Sequence, residues 1–331
     1  MCPAPMFVAG TTRLRARMTR LPEVSSAVRM MVLDASPVLR RQDVWRSEVR
    51  QLPRLFAGDA RDVAEVVTGR HDLHDCLTLL RGAMTQRPAE DRLRGVWAVG
   101  AMTPDLAETL ADATDAAAVV TVMARQGLPT PLAAHALRRL WARFELHGDV
   151  EELELGLVAV AYADWATRLT HRKSRPAAVL LARERDQRNL VTVLARGSVN
   201  AERLLTVGAL SPRDLEQAVS GRWAPLLRYY PRWRPALEAF TQLQDLTRLD
   251  RDLHDRSTAD AAAMLRRGDA HSAEPLVGYV LLLEDHARDA RRAELLTVVG
   301  AEPSISDRSA SDRSASDRTA FDRSSTDRSA W

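Results

Sequence analysis

The sequence is poor in cysteine and lysine. Its 331 residues include only two cysteines, Cys2 and Cys76, and Lys173 is the only lysine. Two cysteines in a chain of this length provide neither a disulfide framework nor a zinc site with four thiolates, so a reducing compartment is expected. Arginine therefore carries nearly all of the positive charge, and it stays charged at any working pH and binds carboxylates through two parallel hydrogen bonds.

Long hydrophobic runs are also missing. The longest weakly polar stretch covers residues 156–166 and is interrupted by Asp164, whereas a membrane-spanning helix needs about 18 apolar residues or more. The start of the sequence contains no apolar run of the length found in signal peptides. We therefore predict a chain that does not span a membrane, although it could still attach to a membrane complex.

Motifs that carry catalysis are absent from the sequence. It contains no G-x-x-x-x-G-K-[ST] nucleotide loop, no G-x-G-x-x-G loop, no G-x-S-x-G nucleophile turn and no H-E-x-x-H zinc motif. No set of residues combines the spacing and the polarity that chemistry needs. The sequence therefore predicts no enzyme, no cofactor and no small-molecule substrate, with an unrecognised helical enzyme as a further alternative.

The abundant residues indicate an all-α body. Ala, Leu, Arg and Glu dominate, and β-branched residues occur mostly as isolated valines, which favours helices. In residues 176–197 the apolar side chains recur every three or four positions, with Pro176 suited to a helix start and Gly197 to a helix end. No Asn-Gly or Asp-Gly turn lies between alternating apolar runs, so a sheet is not expected.

The last residues have a different composition. The Asp-Arg dipeptide recurs every five residues, beginning at positions 307, 312, 317, 322 and 327, with Ser, Thr and Ala between the copies. Its charges cancel, and almost nothing apolar is available for burial. Residues 304–331 are therefore predicted to form a disordered tail.

One sequence element occurs twice in the body. Residues 96–110 read VWAVGAMTPDLAETL and residues 204–219 read LLTVGALSPRDLEQAV, so both contain V-G-A-[ML]-[ST]-P. Ser or Thr before Pro is typical of a helix N-cap. The upstream segments 71–82 and 185–197 are also alike, and residues 279–299 resemble them without a following V-G-A-x-S-P element.

These similarities predict three copies of one helical unit. The copies cover residues 1–125, 126–235 and 236–303, ahead of the tail at 304–331. Copies of one unit in a single chain bury their apolar faces against each other, either as a solenoid or as a pseudosymmetric ring.

Charged residues recur at matching positions of the copies. Glu184 precedes Arg188 by four residues, and Glu284 precedes Arg288 by the same spacing, which is the favourable order on a helix. Such pairs belong either to a solvated face or to the contact that fixes one copy against its neighbour. Asn189 lies near the apolar stripe and would need a buried partner.

A cluster of histidines and aspartates, H-D-x-H-D, occupies positions 71–75. Two histidines three residues apart on a helix can share a metal ion, and aspartate can orient a ligating imidazole. A closed site needs further ligands, and no second His, Cys or Asp cluster has ligand spacing. We therefore interpret the cluster as a polar helix N-terminus, with Asp72 and Asp75 facing the positive end of the helix dipole.

Two basic clusters are present. The first contains Arg13, Arg15, Arg17 and Arg20, and the second contains Arg228, Arg232 and Arg234 beside Tyr229, Tyr230 and Trp233. Such clusters can bind nucleic acid through phosphates and stacking, or they can form a solvated or inter-subunit face. The 47 basic residues are nearly balanced by 44 acidic ones, for a net charge of +3, so no nucleic-acid binding is predicted.

Three segments of the sequence resemble a family of V/A-type ATP synthase (V-type ATPase) proteins, the C-type subunits, whose homologues in the eukaryotic proton pumps are the d-type subunits. Residues 8–21 (VAGTTRLRARMTRL) are similar to the first helix of that family. Residues 46–84 are similar to its next segment, which ends in D-x-h-N/D-L-x-x-x-L-R-[GA] and here contains Asp75 and Arg81. Residues 279–299 are similar to its last helix.

Individual positions carry the resemblance. In the last helix they are Tyr279, Glu284, Arg288, Asp289 and Arg291, and in the middle copy they are Glu184, Arg188, Asn189 and Arg196. The sequence departs from the family pattern in three places. Asp289 replaces the usual Asn, the first copy has Arg70 and His74 in place of Glu and Arg, and the repetitive tail is not a family feature.

The resemblance implies a non-catalytic rotor subunit. Members of the family have three similar helical lobes in a pseudo-threefold, funnel-like arrangement, whose wide side rests on the membrane proteolipid ring while the axle subunits of the central stalk insert in the hollow. Such a chain would transmit torque for ion-coupled ATP synthesis or hydrolysis, bind no nucleotide, and lie at the cytoplasmic face of the cell membrane. The candidates for contacts with these partners are Arg13, Arg15, Arg17, Arg228, Arg232 and Arg234. The alternative is a free-standing α-helical repeat scaffold that binds protein or nucleic acid.

Overall fold

The computed structural model describes residues 10–15, 45–205 and 208–299. These residues form helices, turns and loops and contain no strand, which confirms the predicted all-α fold. The chain divides into two compact units. The first contains the described residues up to 15 and from 46 to 283, and the second contains Trp45 and residues 284–299.

The helices are labelled in chain order. They are α1 (Asp59–Met84), α2 (Ala89–Leu93), α3 (Pro104–Ala111), α4 (Ala116–Gln126), α5 (Pro131–His147), α6 (Val150–Arg168), α7 (Arg175–Arg196), α8 (Pro212–Val219), α9 (Ala224–Tyr229), α10 (Arg234–Leu243), α11 (Leu246–Thr258), α12 (Ala261–Arg267) and α13 (Glu274–Val299). Residues 10–15 and 45–51 are also helical. Short 3-10 helices lie at Leu52–Leu55, Arg172–Ser174, Ala201–Arg203 and Pro231–Trp233.

Apart from α2, which has no α-helical counterpart later in the chain, the same order of helices occurs twice in the first unit. The first series has a long helix (α1), a loop, a short helix (α3), a further helix (α4) and a packed pair (α5 and α6). In the second series, α7, a loop, α8, α9 and the packed pair α10 and α11 follow in the same order. The duplication predicted from the V-G-A elements therefore extends to the order of the helices around them.

The packed pairs are joined by equivalent two-residue connections. Gly148 and Gln244 both have positive φ, 68° and 53° respectively, which ends the preceding helix. The next residue in each case is an aspartate, Asp149 or Asp245, whose side chain accepts a hydrogen bond from a backbone N–H in the first turn of the following helix. Each connection thus stops one helix and starts the next within two residues.

One apolar core joins the helices of the second series. It contains Leu190 and Val193 of α7, Leu215 of α8, Leu226 of α9, Leu237 of α10 and Leu253 of α11, all buried. Burying a leucine side chain contributes about 1.5–3 kcal/mol relative to exposure. Because every helix of the series contributes to this core, the short helices α8 and α9 are held by packing rather than by their own helix propensity.

The predicted helix ends are confirmed. Thr103 and Ser211 are N-caps followed by proline, and Ser211 forms a reciprocal capping box with Asp214. Pro176 lies in the first turn of α7, and Gly197 ends that helix with a φ of 67°. The V-G-A-[ML]-[ST]-P element therefore serves as a helix start in both series.

Other predictions stay open. The boundaries at residues 125 and 235, and the arrangement of three lobes, remain predictions. The tail at 304–331 lies outside the described residues. Within the described ranges, no helix has both the length and the apolarity needed to cross a membrane.

Candidate functional site

The first repeated element is held by two buried carboxylates of α1. Asp75 accepts hydrogen bonds from the backbone N–H groups of Trp97 and Ala98, at 2.8 and 2.7 Å. Asp72 accepts from the N–H groups of Ala101 and Met102, at 2.8 and 2.9 Å. The two aspartates lie three residues apart on one helix face. We call Asp72, Asp75 and residues 97–102 the first clamp.

The second repeated element is held in the same way by α7. Asp186 accepts from the N–H group of Ala209 at 2.7 Å and from the hydroxyl of Tyr230 at 2.5 Å. Asn189, three residues later, bonds to both the N–H and the C=O of Leu205, each at 2.9 Å. We call Asp186, Asn189, Leu205 and residues 208–210 the second clamp. The predicted need of Asn189 for a buried partner is confirmed.

The glycine of each V-G-A element faces the first carboxylate of its clamp. A Cβ atom on Gly100 would overlap the carboxylate of Asp72, and a Cβ on Gly208 would overlap that of Asp186. Neither glycine has a φ in the left-handed region. Glycine is therefore required here by the close approach of a side chain rather than by backbone conformation.

Burial shifts the proton affinity of the clamp carboxyls. It raises the pKa of Asp72 to about 6 and that of Asp75 to about 7, although the bonded N–H groups lower both. Burial also raises the pKa of Asp186. The pKa of the Tyr230 hydroxyl is raised by its burial and by its hydrogen bond to Asp186. The folded clamps therefore bind protons more readily than exposed aspartates do.

The interpretation of the H-D-x-H-D cluster as a helix N-terminus is wrong. The helix begins at Asp59, so the cluster lies in its middle, where the loop N–H groups satisfy both aspartates. The His71 ring lies 5.3 Å from the ring of Trp97, and His74 is 3.2 Å from the carbonyl oxygen of Gly95. Among the described residues, no group of three His, Cys, Asp or Glu is arranged to hold a metal ion.

Ion pairs join the two series. Arg70 of α1 is bonded to Glu184 of α7, which also accepts a hydrogen bond from the Tyr162 hydroxyl at 3.3 Å. Arg196 at the end of α7 pairs with Glu151 of α6. These contacts fit the interpretation that the repeated charges fix one copy against its neighbour.

Two further motif residues lie on the same helices. Arg81 of α1 binds Glu154 of α6 through two parallel hydrogen bonds of 2.5 Å. Arg188 is exposed on α7. The ion-pair partner of Glu184 is Arg70 of the first series rather than the arginine four residues later.

The motif residues of the last helix have different surroundings. Tyr279 is fully buried, and its hydroxyl donates to Glu48 at 3.2 Å. In the second compact unit, Glu284 is buried and Arg288 is half-buried. The side chain of Asp289 lies outside the described residues.

The first arginine cluster is only partly available for a partner. Arg13 is exposed. Arg15 donates to the carbonyl oxygens of Leu265 and Gly268, both at 3.0 Å, and so binds within the chain. Arg17 lies outside the described residues.

The second cluster is divided between internal contacts and exposed groups. Arg232 pairs with Asp260. Arg228 is exposed, and Arg234 is exposed with only a 3.8 Å contact to Glu238. The ring of Tyr230 stacks on buried Trp233 at 4.1 Å, so these aromatic rings belong to the core rather than to a free stacking surface.

The sequence did not reveal which residues hold the loops. The pattern D-x-x-[DN] on a helix, followed by V-G-A, was present in both copies. A search that linked these two patterns would have found Asp72, Gly100, Asp186 and Gly208. The link is a tertiary contact over 23 to 30 residues of sequence, which helical periodicity alone does not report.

Comparison with known families gives one match. The sequence model of the family described as ATP synthase (C/AC39) subunit matches residues 42–291, which is more than half of the chain and includes both clamps. Comparison with curated proteins gives no match.

Proposed function

Because the chain belongs to the ATP synthase (C/AC39) subunit family, we propose that it is the non-catalytic rotor subunit in the central stalk of a V/A-type ATP synthase or ATPase. It links the axle subunits to the membrane proteolipid ring, at the cytoplasmic face, and transmits torque between them. The observation that carries this proposal is the family match over residues 42–291.

The internal contacts supply what torque transmission requires. A part that passes force must resist bending, and loops are normally the softest parts of a helical protein. Here each V-G-A loop is bound to a long helix through buried side chains. Each hydrogen bond to a charged group contributes about 1.5–3 kcal/mol. The pair between Arg70 and Glu184 adds a direct connection between the two series.

The exposed arginines are the proposed contacts with acidic groups of the ring or the axle. Arg15 and Arg232 already bind within the chain. Among the described members of the two clusters, Arg13, Arg228 and Arg234 therefore remain for partners. Arginine suits this role because its planar group binds carboxylates through two hydrogen bonds.

Removing the chain from cells that make the complex tests the proposal. We expect the catalytic part to detach from membranes, and ATP-driven ion transport to stop, while ATP hydrolysis by the detached part continues. Wild-type chain supplied in trans is the control and restores transport. If membranes without the chain retain a coupled, ion-pumping complex, the rotor assignment is refuted and a free-standing scaffold is favoured instead.

A further inference from the structure

A groove lies between α9 and α10 in the second series. Its lining consists of Trp223, Ala224, Leu227, Arg228, Arg234, Leu237 and Glu238. In the first series the equivalent helices, α4 and α5, pack directly against each other, whereas α9 and α10 make little direct contact. The groove therefore arises because α9 has only six residues, against eleven in α4.

The apolar part of the groove is rigid. The Trp223 ring meets the ring of Phe240 edge-on at 6.4 Å, and its Nε1 donates to the hydroxyl of Thr241 at 3.0 Å. Leu237 is fully buried beneath, and Leu227 is packed against the same core. A partner would thus meet a fixed surface and would not have to order it on binding.

Within the part of the chain that the structure describes, the charged part of the groove is not neutralised. Arg228 is exposed and has no ion pair within the described residues. The side chains of Arg234 and Glu238 are 63% and 62% exposed, and their 3.8 Å contact is worth little in water. Two arginines and one glutamate leave one positive charge in excess beside the apolar floor.

We propose that this groove binds an acidic, amphipathic segment of a neighbouring subunit in the rotary complex. An apolar side chain of the segment packs against Trp223 and Leu227, and its carboxylates bind Arg228 and Arg234. Tryptophan and arginine around a preformed pocket are typical of the residues that dominate binding energy at interfaces. A nucleic-acid backbone carries one negative charge per phosphate, and a groove with one net positive charge and an apolar lining fits a peptide with few carboxylates better. The identity of the partner rests on the proposed function.

Competition between tagged chains in cells tests the groove. The variant Arg228→Glu with Arg234→Glu is expressed together with wild type, and the ratio of the two is measured in the purified complex. We expect its share to fall about tenfold or more, because both exposed charges are reversed at the contact. The matched control is Arg138→Glu with Arg139→Glu, an equal charge change at exposed positions of α5, and its share should not change. Equal helicity and melting temperature of the purified variants confirm that they fold.

A photoreactive phenylalanine analogue at exposed Ala224 identifies the occupant. A cross-linked peptide rich in Asp or Glu, from a protein of the complex, supports the proposal. A neutral or basic peptide, or a nucleic-acid adduct, overturns it. Normal incorporation of the Arg228 and Arg234 variant, with wild type present in the complex, overturns the groove proposal and leaves the rotor assignment standing. If the wild-type chain itself is absent from the complex, the rotor assignment fails and the groove proposal fails with it.

Discussion

Replacement of Gly100 by alanine is predicted to break the first clamp. The added methyl group would overlap the carboxylate of Asp72. That carboxylate is buried and is bonded to the N–H groups of Ala101 and Met102. It can leave only by giving up both hydrogen bonds, because the two donors belong to the loop that the methyl group occupies.

The magnitude follows from these two bonds. At pH 7.5 the carboxyl is ionised, since burial raises its pKa only to about 6. Each hydrogen bond to a charged acceptor contributes about 1.5–3 kcal/mol. Alanine regains about 0.4–1 kcal/mol by restricting the unfolded chain. The expected loss in the free energy of unfolding is therefore about 2–5 kcal/mol.

Urea unfolding of the full chain, followed by circular dichroism, measures this loss. Gly127→Ala is the control, because it has positive φ but nothing near its would-be Cβ, and it should cost about 1–2 kcal/mol. In a double-mutant cycle, Gly100→Ala should cost almost nothing once Asp72 is alanine. Additive effects, or a Gly100→Ala cost no larger than that of the control, would refute the steric argument.

Three more predictions use the same unfolding assay. Asn189→Asp should lower the free energy of unfolding by about 2 kcal/mol at pH 8, because the new carboxylate faces the Leu205 carbonyl. The protonated form of the introduced aspartate can donate a hydrogen bond as the amide does, so this loss should shrink toward pH 4.5. For Asp75→Asn, the cost should be larger at pH 5 than at pH 8. Burial raises the folded-state pKa of Asp75 to about 7. The stabilisation that the Asp75 carboxyl contributes is therefore present at low pH and is lost as pH rises through 7. Arg70→Glu and Glu184→Arg should each lower the free energy of unfolding, and the double variant should recover about 1 kcal/mol or more of either loss. Equal losses in the single and double variants would contradict a direct ion pair.

The helices could be predicted from the sequence, but the clamps could not. Helix type and the ends at Thr103, Ser211 and Gly197 depend on local residues, and these predictions are confirmed. The sequence assigns Asp72 to a helix start because carboxylates are favoured at the positive end of the helix dipole. Only the position of the loop N–H groups, which depends on tertiary packing, shows that it is buried. Gln244 ends its helix in a conformation that glycine usually adopts, so that connection gave no local signal.

Comparison of the two clamps shows which residues are the same in both copies of the duplicated unit and which differ. The pairing of an aspartate with a glycine, Asp72 with Gly100 and Asp186 with Gly208, is the same in both. The residue three positions later differs, since a carboxylate holds two N–H groups in the first clamp and an amide holds both groups of one residue in the second. In the third segment, aligned on Glu284, the first position is His286, and the V-G-A that follows at residues 299–301 continues with Glu302 and Pro303 rather than with x-[ST]-P. A buried carboxylate is tolerated only where N–H groups are present to satisfy it, so Asp72 and Asp186 each depend on the loop that they bind.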